Sequence, residues 1–238
     1  APLSGAPTLR VGNVSVRGRM SDTRGEHWHF HATGLRPGRR YSLSLAGSNG
    51  RALTQPWELS TFPSPDERPE KFRVLFYTCA GGHAALGFLP DAVRNRLLRR
   101  GLSFAPDAAV ANGDHIYWDQ LAPVGSPRYR TAEAEKLSGT FDRSGTVLGS
   151  DNEAVLKRIG NAQISSIYKA DFRSTPVFFL QDDHDHFDND EATDEIITFP
   201  PSHFMVQLAR ATQHLYYPEF LPDAARPLGL PWSSAGDR

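Results

Sequence analysis

Alternation of apolar and polar side chains dominates the first quarter of the chain. The run from Arg10 to Val16 alternates, His27 to His31 alternates again around Trp28 and Phe30, and Tyr41 to Leu45 repeats the pattern. A period of two marks strands with one face in a core and the other in water. On that reading His27, His29 and His31 are the solvent side of their strand. Leu59-Ser60-Thr61-Phe62 reads as a last short strand before Pro63, Pro65 and Pro69 break the pattern, as a linker between domains does.

Beyond the prolines the periodicity changes. Phe72 to Thr78, Ala108 to Ala111 and Thr175 to Leu180 are nearly continuous apolar runs, the signature of strands buried on both faces of a parallel sheet. Between the first two, Asp91 to Arg100 places Val93, Leu97 and Leu98 on one helical face, with Gly101 at the expected C′ position. Strand, helix and strand make a βαβ unit. Leu121 to Gly149 is polar, rich in glycine, proline and serine, and too long for an ordinary connection; it reads as a lid-like insertion. Ser150-Asp151-Asn152-Glu153 forms a capping box for a helix with Val155, Leu156, Ile159 and Ile167 on its apolar face. A final helix is predicted from about Ser202, with Phe204, Leu208, Ala211 and Leu215 at helical spacing. The expected organisation is a small β-sandwich over residues 1–66 and an α/β (α+β) sheet-and-helix domain over residues 71–238.

Composition narrows the function classes. A formal net charge of -1 over 238 residues gives no bulk attraction to nucleic acid or to an anionic membrane, so an anionic substrate has to be held locally. Cys79 is the single cysteine, which excludes an intrachain disulfide. No apolar run reaches the length of a membrane span. The start Ala1-Pro2-Leu3-Ser4 reads as that of a processed chain, exported to a periplasmic or extracellular space.

Chemistry concentrates at the carboxyl ends of the three apolar strands, where open α/β sheets gather ligands. Cys79 follows the first, Gly113-Asp114 the second and Asp182-Asp183-His184-Asp185 the third. Glycine before Asp114 allows a close approach of backbone to a bound group. Phosphoester hydrolysis benefits from paired cations, because they hold the anionic oxygens and lower the pKa of water. A carboxylate can bridge two such cations. The acidic run from Asp182 to Asp190 is not an EF-hand, since Phe187 falls where an oxygen ligand is required. His83, His115 and His186 flank these positions.

Two resemblances follow from these residues. Thr33 to Leu45 is similar to the turn, tyrosine and outgoing strand of a fibronectin type III module. Tyr77-Thr78-Cys79-Ala80, Gly113-Asp114-His115-Ile116-Tyr117 and Asp182-Asp183-His184-Asp185 resemble, in order and spacing, motifs of the alkaline phosphatase D family of calcineurin-like metallophosphoesterases. That resemblance implies that Cys79 ligates one metal, Asp114 bridges two and Asp183 ligates the second. His184 would be the catalytic group beside the phosphate and not a ligand, with Tyr117 and Asp182 as weaker site candidates. It further implies two or more metal ions, iron(III) with calcium, or zinc or manganese as in relatives. The implied activity is hydrolysis of small-molecule phosphomonoesters or phosphodiesters by metal-bound hydroxide.

The chain departs from the family in two places. The tyrosine that ligates iron has Tyr168 as its nearest replacement, and nothing after Asp190 supplies the later histidine and aspartate ligands. The expectation is a catalytic domain incomplete at its carboxyl end, with the remainder in a further segment or a separate chain. One sheet face would then be left uncovered and apolar, and the end from Trp232 to Arg238 would be a loop. The competing expectation is a secreted, calcium-stabilised binding protein without activity, or an inactive fragment.

Overall fold

The computed structural model describes residues 2–118, 131–186 and 203–217. It is a mixed α/β structure in which antiparallel and parallel sheets are separate. The first run of alternation folds as a hairpin and not as one strand. Strands β1 (Thr8–Val11) and β2 (Val14–Arg17) pair around Gly12-Asn13, with Gly12 at φ 57°, the positive value a two-residue hairpin turn needs. Strands β3 (Arg19–Met20) and β4 (Trp28–His29) form a two-stranded sheet, and β5 (Arg40–Ala46) and β6 (Trp57–Ser60) complete the larger one in the order β2-β1-β5-β6. Val11 and Leu43 lie opposite each other in its buried face. The Tyr41 hydroxyl accepts the Arg36 N–H at 2.8 Å, tying the strand to the preceding turn.

The parallel sheet consists of β7 (Val74–Tyr77), β8 (Ala108–Asn112) and β9 (Val177–Leu180), in that order. Helix α1 (Asp91–Leu102) makes the crossover between β7 and β8. Register puts Leu75 and Tyr77 of β7, Ala109 and Ala111 of β8, and Phe179 of β9 on one face. That face is covered: Ala109 and Ala111 are fully buried, Leu75 meets α1, and Tyr77 and Phe179 meet Tyr168. The opposite face carries Val74, Phe76, Val110, Phe178 and Leu180, of which Phe76 is 69% and Leu180 51% exposed. The expectation that all three strands are buried on both faces is thus corrected: in β8 Ala108, Ala109 and Ala111 are buried, while the second face of the outer strands is the kind of exposed apolar face expected for an incomplete domain. Phe62, beyond the last N-terminal strand, stacks on Phe178 at 5.8 Å and covers part of this face.

Helices α2 (Thr131–Ser138), α3 (Asp151–Gly160), α4 (Ser166–Tyr168), α5 (Asp183–His186) and α6 (His203–Tyr216) supply most of the core. Ile116, Trp118, Leu156, Met205 and Leu208 are at or near zero exposure in one cluster, and each such side chain stabilises by about 1.5–3 kcal/mol through burial. Phe141 and Val147 join that cluster, so the end of the expected lid is core; residues 119–130 lie outside the described residues. Helix α1 also differs from its sequence reading. It runs through Gly101, whose place is set by contact, because a Cβ there would lie 2.9 Å from Leu75 Cδ1. Its buried residues are Arg94 and Asn95, while Leu97 is 59% exposed. Arg94 is drawn inward by two backbone carbonyls near the site described below.

The N-terminal sheets meet the helices through a buried ionic cluster. Lys157 of α3 pairs with Asp22, with Glu153 at 2.7 Å and with Glu26 at 2.8 Å, and Thr23 donates its hydroxyl to Glu153 at 2.6 Å. His27 and His29 do not form a solvent face. Their rings sit against Tyr216 and His214 of α6, at 4.9 and 5.3 Å between centroids, because the α6 surface closes over that strand. Among the described residues no helix is long and apolar enough to cross a membrane.

Candidate metal centre

Strands β7 and β8 both end in a residue forced into left-handed backbone. Cys79 has φ 55° and Asp114 φ 56°, a conformation that costs an L-residue other than glycine roughly 1–2 kcal/mol. Such strain persists only where surroundings over-determine it. Here the two loops continue to pair beyond the strands: the Cys79 N–H donates to the Gly113 carbonyl at 3.3 Å and the Gly81 N–H to the Asp114 carbonyl at 2.8 Å. Gly113 is required on two counts, a φ of 76° and a Cβ that would lie 2.4 Å from Asp182 Cβ. The close packing of the three strand ends leaves no room for a side chain there.

These turns bring the sequence-predicted residues together. Asp114, Asp183 and His184 offer ligand atoms that all lie within 4.8 Å of one another. The Cys79 thiol donates to Asp114 Oδ2 at 3.2 Å, and the Tyr117 hydroxyl donates to the same oxygen at 3.1 Å. Cys79 therefore reaches the centre through Asp114 and stands outside the tightest group. His184, read from sequence as a non-ligand beside the phosphate, is inside it, its ring lying on Tyr117 at 4.4 Å between centroids. Partial burial, together with the Asp114 carboxylate, pushes the Cys79 thiol up from its ordinary pKa. Burial and Asp114 push the Tyr117 hydroxyl up likewise.

The other carboxylate oxygen, Asp114 Oδ1, is buried without a hydrogen-bond partner among the described residues, and the side chain as a whole is 8% exposed. A buried carboxylate oxygen left unpaired is costly. A cation at the cluster would remove that cost. The donor set fits one: carboxylates suit hard cations, imidazole and thiolate suit borderline ones.

Asp185 organises the centre, and the sequence reading assigned it no role. Its side chain is fully buried. Oδ2 accepts from the Asp114 N–H at 2.8 Å and the Asp182 N–H at 3.0 Å, while Oδ1 accepts from His115 N–H at 2.8 Å and Ile116 N–H at 3.1 Å. Three consecutive amides turned inward by the strained turn thus find one carboxylate, and burial pushes its pKa up. The signal available in the sequence was position alone, as the last acid of Asp182-Asp183-His184-Asp185. Arg94 does the complementary work on the first loop, donating to the Ala80 and Gly81 carbonyls, both at 2.6 Å. Gln163 bridges the two loops, accepting from Gly82 N–H at 2.7 Å and Tyr117 N–H at 3.1 Å. It lies in a π-helical segment (Asn161–Ser165) between α3 and α4, a distortion frequent at functional sites.

The remaining candidates are placed elsewhere. His115 is fully buried, and its Nε2 donates to the Leu180 carbonyl at 2.8 Å, so it braces β9 and is not a ligand. His83 Nδ1 accepts the Ala85 N–H at 3.1 Å and caps a short 3-10 turn. Tyr168 packs on Tyr77, Phe172 and Phe179, with its hydroxyl 3.5 Å from His115 Nδ1. Asp182 is exposed and caps the Asp183 N–H at 3.0 Å. The His186 side chain, residues 187–202 with most of the acidic run, and residues 218–238 lie outside the described residues. No family model, curated protein or solved structure matches this chain.

Proposed function

We propose that this chain binds metal at Asp114, Asp183 and His184, with Cys79 and Tyr117 at the margin, and hydrolyses phosphoric esters as the alkaline phosphatase D family does. The observation that supports the reading is the clustering of three potential ligand side chains, one of them a buried carboxylate with an unpartnered oxygen. In this reading the parallel sheet and helices form a metallophosphoesterase-type domain preceded by a fibronectin type III-like module. Asp114, Asp183 and His184 would hold the metal, and Cys79, whose thiol lies 3.2 Å from Asp114 Oδ2, would add sulfur to the donor set. Iron(III) with calcium, or zinc or manganese, suits the set. When bound, paired cations hold the phosphate oxygens and make water a stronger nucleophile. The protein's part is to fix the donors: Asp185 and Gln163 lock the loops, and Tyr117 donates to Asp114. If His184 did not ligate the ion, its imidazole would instead be a hydrogen-bond donor to the phosphate. A calcium-only binding module is the weaker reading, since sulfur and imidazole are poor partners for calcium.

Asp114→Asn tests this. Asparagine tolerates left-handed backbone, so the fold is expected to survive while bound metal is lost and metal-dependent hydrolysis of p-nitrophenyl phosphate and bis(p-nitrophenyl) phosphate is abolished. Hydrolysis by the wild type that persists in the variant overturns the proposal.

A further inference from the structure

Beside the metal centre lies a cavity of about 100 Å³ that no step above uses. Its walls are mixed: Leu86, Ala134, Leu137, Ile159 and Ala162 are apolar, while His83, Ser138, Arg158 and Gln163 add polar groups. Tyr117 belongs to both places, lining this cavity while its hydroxyl holds Asp114 Oδ2 at 3.1 Å. The wall next to it is built by the π-helical segment (Asn161–Ser165), which turns Ala162 and Gln163 toward the space. Gln163 in turn fixes the Tyr117 and Gly82 amides. The cavity is thus pinned to the loops that carry the candidate ligands.

We infer that this cavity receives the organic group of the ester whose phosphoryl group sits at the metal centre, a group no larger than a single aromatic ring. The inference rests on the phosphoester reading above and adds to it a substrate class. An apolar cavity of roughly 150 Å³ holds benzene, so the smaller space here takes an alkyl chain, or one ring because it opens on one side, and a bicyclic group would lie partly outside it. Apolar side chains with a few polar groups among them are the usual construction of small-molecule sites.

The test is binding, which does not depend on turnover. Calorimetry of the manganese-loaded protein with methylphosphonate, phenylphosphonate and 1-naphthylphosphonate is expected to show phenylphosphonate bound about tenfold or more tightly than methylphosphonate, the scale of burying one ring, with naphthylphosphonate weaker than phenyl. Ala162→Phe fills the space and is expected to cancel the phenyl preference while leaving methylphosphonate binding unchanged. Equal affinities in the wild type, or a preference that Ala162→Phe leaves intact, overturn the inference. Phenol added to the metal-free protein separates the two proposals. Amide shifts at Tyr117 and Ile159 that vanish in Ala162→Phe uphold the cavity even if phosphonate binding proves independent of metal, an outcome that sinks the phosphoester reading alone. Absence of such shifts in the wild type counts against the cavity.

Discussion

Asp185 shows how one side chain sets the geometry of others. Four amides point at a single carboxylate with essentially no exposure, and three of them belong to the turn that holds Asp114 at φ 56°. Asp185→Asn exchanges one acceptor oxygen for an amide that can only donate, facing donors. The expected outcome is a loss of about 3 kcal/mol in folding stability, from hydrogen bonds to a charged group that are broken and not replaced. Metal affinity should fall by about 10–100-fold, the usual cost of disturbing groups behind a ligand. Denaturant unfolding and metal competition titration on the same variant measure the two effects. A purely structural role would lower stability and leave the affinity of the folded fraction unchanged. Among single residues, the site was legible wherever chemistry sits at a strand end. Asp114, Asp183 and His184 cluster, with Cys79 and Tyr117 bonded to Asp114, because the apolar runs before them fix where each strand stops. Asp185 and Gln163 were not legible, since their work is to satisfy backbone amides whose direction depends on the turn, and no sequence pattern encodes that.

At the level of elements, periodicity located the strands and the long helices but misjudged what covers them. The apolar run of β7 was read as buried twice, yet Phe76 is 69% exposed, because hydrophobicity along a strand does not say whether a second layer lies on its far face. In α1 the error runs the other way. Arg94 and Asn95 are buried since their polar ends meet backbone carbonyls, those of Ala80 and Gly81 for Arg94 and that of Ser166 in α4 for Asn95, whereas Leu97 looks outward. Gly101 was read as a helix stop and is a contact point, and the left-handed residue after the helix is Ala105 at φ 50°. The capping pair of α3 is also altered. Ser150 does accept from the Asn152 N–H at 3.2 Å, but Glu153 turns to the Gly149 N–H at 2.9 Å and to Lys157. A charge needed at the interface with the N-terminal sheets overrides the local motif.

At the scale of the whole molecule, that interface couples stability to pH. Asp22 and Glu153 sit at about 2. Burial alone would raise both, but Lys157 and nearby N–H groups outweigh it, with the Thr23 hydroxyl adding to the effect on Glu153. Lys157, though burial opposes its charge, is pushed up by Asp22, Glu153 and Glu26. Carboxyls depressed on folding contribute stability that is complete above the unfolded value, near 4, and is lost as pH falls toward 2. The lysine contribution is complete below about pH 10 and is lost as pH rises through its elevated value. Urea unfolding at pH 7, 4 and 3 should show the acid loss in the wild type and a flatter profile in Lys157→Met, which at pH 7 should already be about 3–5 kcal/mol less stable from carboxylates left unpaired in the interior. The claim beneath all of this is that sulfur, carboxylate and imidazole from three strand ends meet around a cation. Titration of the metal-free protein with cobalt(II), followed by absorption, tests it most directly. Saturable binding with a thiolate charge-transfer band is expected, the band lost in Cys79→Ser and the binding lost in Asp114→Asn. Cobalt binding that is absent from the wild type, or that survives Asp114→Asn unchanged, contradicts the account.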